Sequence, residues 1–245
     1  MKKILFLFVA LLQIAPVLAQ SDEGEDEFTA SQGGGKKSTF SIGPKVGGTL
    51  TTMTQPDESK LYDGSGIGFS GGLAMKMRFG KVSDNAAPGT GYFGIGAELK
   101  YKRNSVKTIG TDESGKANAN LAIDYFEVPV FVQIYPFAKS PTMNPFYVEL
   151  GFSFAGTMSR SVKSLTVDTP NPTVSSVVYH TDDDQSKLKG GDARVLAGLG
   201  YTIPGTGLDI NARYYIGTGK LAKNFPCRMN TAEVSIAWLF NAGKF

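Results

Sequence analysis

From Leu121 to Tyr135 the chain reads LAIDYFEVPVFVQIY, with bulky apolar side chains at every second position and Asp, Glu and Gln among the interruptions. A period of two residues belongs to a strand with chemically opposite faces. The same alternation recurs over about 39–51, 66–79, 92–105, 145–158, 192–203, 206–216 and 230–240, which with 121–135 makes eight strand candidates. An even number of antiparallel strands closes into an up-and-down barrel with both chain ends on one side.

The links between candidates carry a second pattern. Links one, three, five and seven (52–65, 106–120, 159–191 and 217–229) are each longer than links two, four and six (80–91, 136–144 and 204–205). Barrels of bacterial outer membranes have short periplasmic turns and longer extracellular loops. The alternation therefore predicts an all-β, eight-stranded antiparallel transmembrane barrel with periplasmic N- and C-termini. The sixth link, Pro204-Gly205 between Ile203 and Thr206, has the residues a tight hairpin needs.

Residue size decides which face meets lipid, because a soluble barrel shows the same period with its apolar face inward. One face gathers Phe40, Val46, Phe69, Leu73, Phe126, Val130, Phe152, Ile210, Val234 and Trp238, too much bulk for an eight-stranded interior that side chains alone can fill. The other mixes many glycines with Lys45, Lys76, Arg78, Glu98, Lys100, Glu127, Glu149, Arg194, Asp209, Arg213 and Glu233, together with Gln133 and Asn211. A crowded lumen needs small residues beside a few long polar ones, so this face is expected inside, with its opposite charges paired because unpaired charge there is costly. Phe40, Phe79, Tyr92, Phe93, Tyr135, Phe137, Phe146, Tyr201 and Phe240 fall at strand ends on the terminal side and are expected to form an aromatic girdle.

Composition fits an exported protein. Met1-Lys2-Lys3, the apolar run Ile4 to Leu12 and Val17-Leu18-Ala19 have the form of a signal peptide cleaved after Ala19. Residues 20–38, acidic and then glycine-rich, are expected to be a disordered periplasmic tail, leaving 39–245 as the barrel domain. Cys227, the single cysteine, rules out an intrachain disulfide and a lipidated residue directly after the cut. The formal charge of +3 is spread without a basic run, and no nucleic-acid motif is present.

Candidate chemistry is sparse. His180, the only histidine, stands near Ser175, Ser176 and Asp182-Asp183-Asp184 in the fifth link, but a nucleophile and base are recognised by geometry, and loops rich in Ser, Thr and Asp assemble such sets by composition. The acidic run lacks the spacing of a calcium loop. Gly66-Ile67-Gly68-Phe69-Ser70-Gly71 matches a dinucleotide-binding pattern yet opens a strand where the mechanism needs a helix, and Gly217-Thr218-Gly219-Lys220-Leu221 lacks the first glycine and the hydroxyl residue of a phosphate loop. Both are expected to be turn glycines. No catalytic, cofactor-binding or metal-binding set is assigned.

Phe40-Ser41-Ile42-Gly43-Pro44-Lys45-Val46-Gly47-Gly48 and Tyr125-Phe126-Glu127-Val128-Pro129-Val130 resemble the PorT-like outer-membrane β-barrel family of Bacteroidetes-type envelopes, the second segment being similar to that family's Tyr-x-Glu-Ile/Leu-Pro. The likeness spans about 39–245 and implies a barrel in the outer membrane. Some such barrels are tied to secretion. The expected function is a non-enzymatic membrane anchor presenting outer loops for binding, with membrane lipids and an envelope or extracellular protein as partners. The alternatives are a secretion or envelope-assembly component and a lipid-modifying enzyme relying on His180.

Overall fold

The structure, a computed structural model, describes residues 38–54, 64–79, 91–112, 115–168, 177–178, 190–219 and 228–244. Ten strands follow in chain order: β1 (Ser38–Thr54), β2 (Gly64–Phe79), β3 (Phe93–Asp112), β4 (Gly115–Ile134), β5 (Phe146–Asp168), β6 (Val177–Val178), β7 (Gly191–Thr202), β8 (Leu208–Gly217), β9 (Arg228–Trp238) and β10 (Phe240–Lys244). Successive strands pair antiparallel, β5 passing over the two-residue β6 to reach β7. β1 pairs with β2 along one edge and with β9 and then β10 along the other. The sheet thus closes into a barrel of eight staves, the last of which is β9 and β10 broken at Leu239. Among the described residues no helix is long and apolar enough to cross a membrane; the crossing elements are strands.

The break has a local cause. Gly205 and Gly207, with φ of 77° and 73°, take the left-handed conformations that fold the β7–β8 hairpin back within 203–207. The hairpin's Gly207 carbonyl then accepts from the Leu239 amide at 2.8 Å, drawing that residue off the ladder. Pro129 leaves a second gap: pairing between β3 and β4 lapses from Ala97↔Val130 to Lys100↔Glu127, because proline brings no N–H.

Through the middle of the barrel the faces run inside out relative to a soluble protein. Ile67 is 78% exposed, Val46 65%, Val234 62% and Phe152 61%, whereas Glu98, Glu127 and Gln133 are fully buried. The outward face of β3 stays apolar from Phe93 to Tyr101, about 26 Å of strand at 3.3 Å per residue and about 20 Å of height at a 40° tilt. Ring contacts to both sides fill that out to the thickness of an outer-membrane apolar band. Phe137 and Phe146 pair at one end, as do Trp238 and Phe240, and Phe69 and Tyr101 pair at the other.

Beyond Tyr101 the polarity exchanges. Arg103, Ser105 and Lys107 face outward on β3 while Val106 is buried inside; on β9 Asn230 and Arg228 face out while Met229 faces in. Thr52 and Met53 on β1, and Asp124 and Ile123 on β4, do the same. The strands here have left lipid for water, and apolar side chains enter the interior beside Asn104, Thr51 and Thr231.

This exchange corrects the expected links. The span 106–120 is no long loop: β3 and β4 continue their ladder to Asp112↔Gly115, leaving only 113–114 between them, and β5 runs on to Asp168. Link length therefore does not distinguish the two ends, whereas strand overhang does. A sequence reading keyed to outward apolar residues stops where polarity flips, although the backbone ladder does not. Gly66, Gly68 and Gly71 lie inside β2 rather than in a turn. The stretch after Phe240 is β10, which pairs with β1.

Val130 lies on the lipid-facing side between Ala97 and Phe152. Val130→Arg is expected to lower the unfolding free energy in lipid by about 2–4 kcal/mol, the cost of a cation at the bilayer midplane, as read by urea unfolding in vesicles. Stability equal to wild type would show that this face does not meet hydrocarbon.

Candidate functional site: the charged lumen

Strand register builds the lumen. One ladder row runs Gln133↔Glu149↔Gly198↔Arg213↔Glu233↔Thr49 from β4 round to β1. Gly198 stands between Glu149 and Arg213, so the guanidinium lies across it and binds the Glu149 carboxylate through Nε and, at 3.2 Å, through Nη2. Its Nη1 reaches Glu98 at 2.7 Å, and Lys45 holds the other oxygen of Glu98 at 2.8 Å. Asn211 donates to Glu149 at 2.6 Å. Side chains from β1, β3, β5 and β8 are thereby tied across the barrel.

Towards the terminal end, Lys76 meets Asp209 and the Tyr147 hydroxyl, both at 2.7 Å, and Thr202 donates to the second Asp209 oxygen at 2.7 Å. Towards the other end, Lys100 binds Glu233 at 2.8 Å and the Tyr215 hydroxyl at 2.7 Å. Glu127 accepts from Ser153 at 2.8 Å and has Lys102 at 3.4 Å, Lys100 at 3.6 Å and Arg194 at 3.7 Å around it. Arg194 turns its Nε to Asp192 at 2.8 Å.

The structure brings all eleven charged residues singled out from the sequence into this interior. It adds a twelfth, Lys102, fully buried two residues past Lys100 on the same face; the alternation that places Lys100 inside places Lys102 there too. Among the described residues seven buried cations then stand against five buried acids. Asp192 offsets one. The other, Arg78, stands at the terminal mouth, donating to the Gly91 carbonyl at 2.9 Å and to the Asn144 side chain at 2.5 Å over the Tyr135 ring.

Rings are the part of the lumen that sequence size arguments do not anticipate. Tyr135, expected in the girdle, is instead 5% exposed, with its ring 3.7 Å from the Arg78 guanidinium and its hydroxyl donating to Gln133 at 3.0 Å. It shares the parity of Gln133, not of Ile134. Lys76 lies over Tyr147, Lys102 over Tyr215 and Arg213 over Phe131, at 4.2, 4.0 and 4.4 Å from the ring centroids. Each ring face is a partly negative surface for a desolvated cation. Space for the rings comes from glycine: a Cβ on Gly96 would run into the Phe131 ring, and one on Gly200 into that of Tyr147.

The Tyr125-x-Glu127-x-Pro129 segment is a lumen motif, since all three alternate positions point inward and are buried. Tyr125 joins Met53, Val106, Ile123, Ala155 and Met229 in an apolar plug above the charges. With Arg78 and Tyr135 at the opposite mouth, the charged section is closed at both ends. Among the described residues no three His, Cys, Asp or Glu side chains are grouped to hold a metal. His180, Ser175, Ser176 and Asp182 to Asp184 lie outside the described residues, as do residues 1–37.

An apolar belt on a closed barrel around a buried ionic interior defines an integral outer-membrane β-barrel protein. The chain belongs to the family of the outer membrane protein beta-barrel domain, whose model matches residues 18–223. No curated protein matches it in sequence. Among solved structures it is similar to Neisserial surface protein A, with 14% identity and a TM-score of 0.43 over 83% of this chain and 99% of that one. It is also similar to Ail of Yersinia pestis in complex with the heparin analogue sucrose octasulfate, with 13% identity, 82% and 99% coverage and a TM-score of 0.39. For OprG of Pseudomonas aeruginosa the values are 12%, 85%, 99% and 0.36.

Arg213→Met would leave Glu98 without its 2.7 Å partner and Glu149 with only Asn211 and Gln133. A loss of about 3–5 kcal/mol is expected, as for a buried pair stripped of one member, measured by unfolding in detergent micelles against Lys139→Met in an exposed turn. Equal stabilities would show that the ionic interior contributes nothing to holding the barrel.

Proposed function

We propose that the protein is a non-enzymatic outer-membrane anchor, PorT-like in type, that presents the links at its overhanging end to an envelope or extracellular protein partner. In this reading residues 1–19 direct export, 20–38 form a periplasmic tail before the barrel of 39–245, both termini are periplasmic, and membrane lipid surrounds the belt. The observation that carries it is the filled lumen. Ion pairs and rings occupy the interior from Arg78 to the apolar plug around Met229, which leaves recognition to the links at the barrel ends, and the anchor reading assigns it to the outer ones. The overhang of β3, β4 and β5 past the apolar band, confined to one end among the described residues, is the support for calling that end extracellular.

The second reading is a secretion or envelope-assembly component, the role to which some barrels of the PorT-like type are tied. Contacts would then run through the terminal-side turns, 80–92 and 135–145. The two readings separate in intact cells: photo-crosslinkers placed at Thr111 and at Lys139 should capture a partner from the first position under the anchor reading and from the second under the assembly reading.

Purified protein in planar bilayers is expected to show no stable porin-sized conductance, because eight strands enclose only enough room for side chains. In cells carrying Thr111→Cys in a Cys227→Ser background, a membrane-impermeant maleimide is expected to label the barrel. Sustained large currents would show that the lumen is not filled, and labelling only after the outer membrane is permeabilised would invert the barrel.

A further inference from the structure

Where the two faces exchange polarity, the outward side chains pass directly from rings and aliphatic groups to cations. On β3, Arg103 follows Tyr101 and lies across the ladder from Phe69, whose ring packs 5.8 Å from that of Tyr101. Lys107 lies across from Ser65, the next outward position after the 78% exposed Ile67. On β9, Arg228 follows Asn230, which pairs with Ile216, the last apolar outward residue of β8. Register joins these positions: Asn230↔Thr52, Thr52↔Ser65 and Ser65↔Lys107 form one row across β9, β1, β2 and β3. Three cations thus flank a stretch of hydroxyl and amide side chains, all on the face that meets the bilayer lower down.

The single acid described on this rim is Asp124, and its contact with Arg103 is long, 3.7 Å from Nε, with the arginine side chain 40% exposed. The exposed part of the arginine can turn its guanidinium fork to an external anion. The height is that of lipid headgroups, one step beyond the hydrocarbon. Cations at this level and orientation are complemented by phosphate, which guanidinium binds through paired hydrogen bonds, while the intervening hydroxyls suit its remaining oxygens.

We propose that the rim formed by Arg103, Lys107 and Arg228 binds the phosphate groups of anionic membrane-lipid headgroups and so fixes the depth of the barrel in the bilayer. The binding rests on the membrane setting of the barrel and holds whichever end faces the cell exterior.

The test uses the folded barrel in nanodiscs of phosphatidylcholine and phosphatidylglycerol, both leaflets alike, with retained lipid counted by native mass spectrometry. Wild type is expected to enrich phosphatidylglycerol over the disc composition, and Arg103→Gln/Lys107→Gln/Arg228→Gln to return to the disc ratio. Each single change should lower the enrichment about three- to fivefold, the scale of one cation at an anionic surface, so the single variants give the answer if the triple variant does not fold. Lys139→Gln, at the other end, should leave the enrichment intact. Unchanged enrichment in the folded triple variant, or in all three singles, would overturn the proposal. So would loss in Lys139→Gln alone, which would place the site at the wrong end. Displacement of the lipid by a modest excess of inorganic phosphate would overturn it in favour of a free-anion site.

Discussion

A strand in hydrocarbon has no water for its edge N–H and C=O groups, so the seam where β1 meets β9 and β10 is the condition for everything else in this protein. Without it β1 and β9 would each present an unpaired row to lipid. Once the sheet closes at eight staves, the interior volume is set, and lumen side chains must fill it in mutually compatible shapes. The β1–β10 pairing is part of that closure: it extends the seam to Thr39↔Lys244 after the break at Leu239.

Fixed volume explains why the lumen alternates long and absent side chains. Glycine at 198 gives Arg213 its route to Glu149, and glycine at 96 and 200 admits the rings of Phe131 and Tyr147. The rings in turn give the cations a second kind of partner, which matters where, among the described residues, seven buried cations outnumber five buried acids. Such an interior is specific more than strong, since desolvation offsets much of the attraction in a buried pair. Removing one partner is far more costly than the pair is stabilising.

The exchange of polarity past Tyr101 links this interior to the membrane. Below it the sheet separates charge from lipid; above it the sheet separates apolar side chains from water. One continuous ladder therefore passes through two solvents. The boundary concentrates, within a few residues, the aromatic girdle, the apolar plug and the outward cations.

Period and residue size in the sequence determined a great deal on their own: strand alternation, the lipid-facing side of β1 to β9, the inward placement of residues such as Lys45, Glu127 and Arg213, and the even number of staves. These are local properties, readable because alternation has one phase inside the band. Tertiary structure decided what depends on neighbours or on solvent. It extended β3, β4 and β5 through a region where the phase of hydrophobicity inverts, turned Tyr135 inward against Arg78, and added Lys102 to the cations around Glu127. It also chose which carboxylate each cation meets, because partners such as Lys76 and Asp209 are distant in the chain and are brought together only by register and closure.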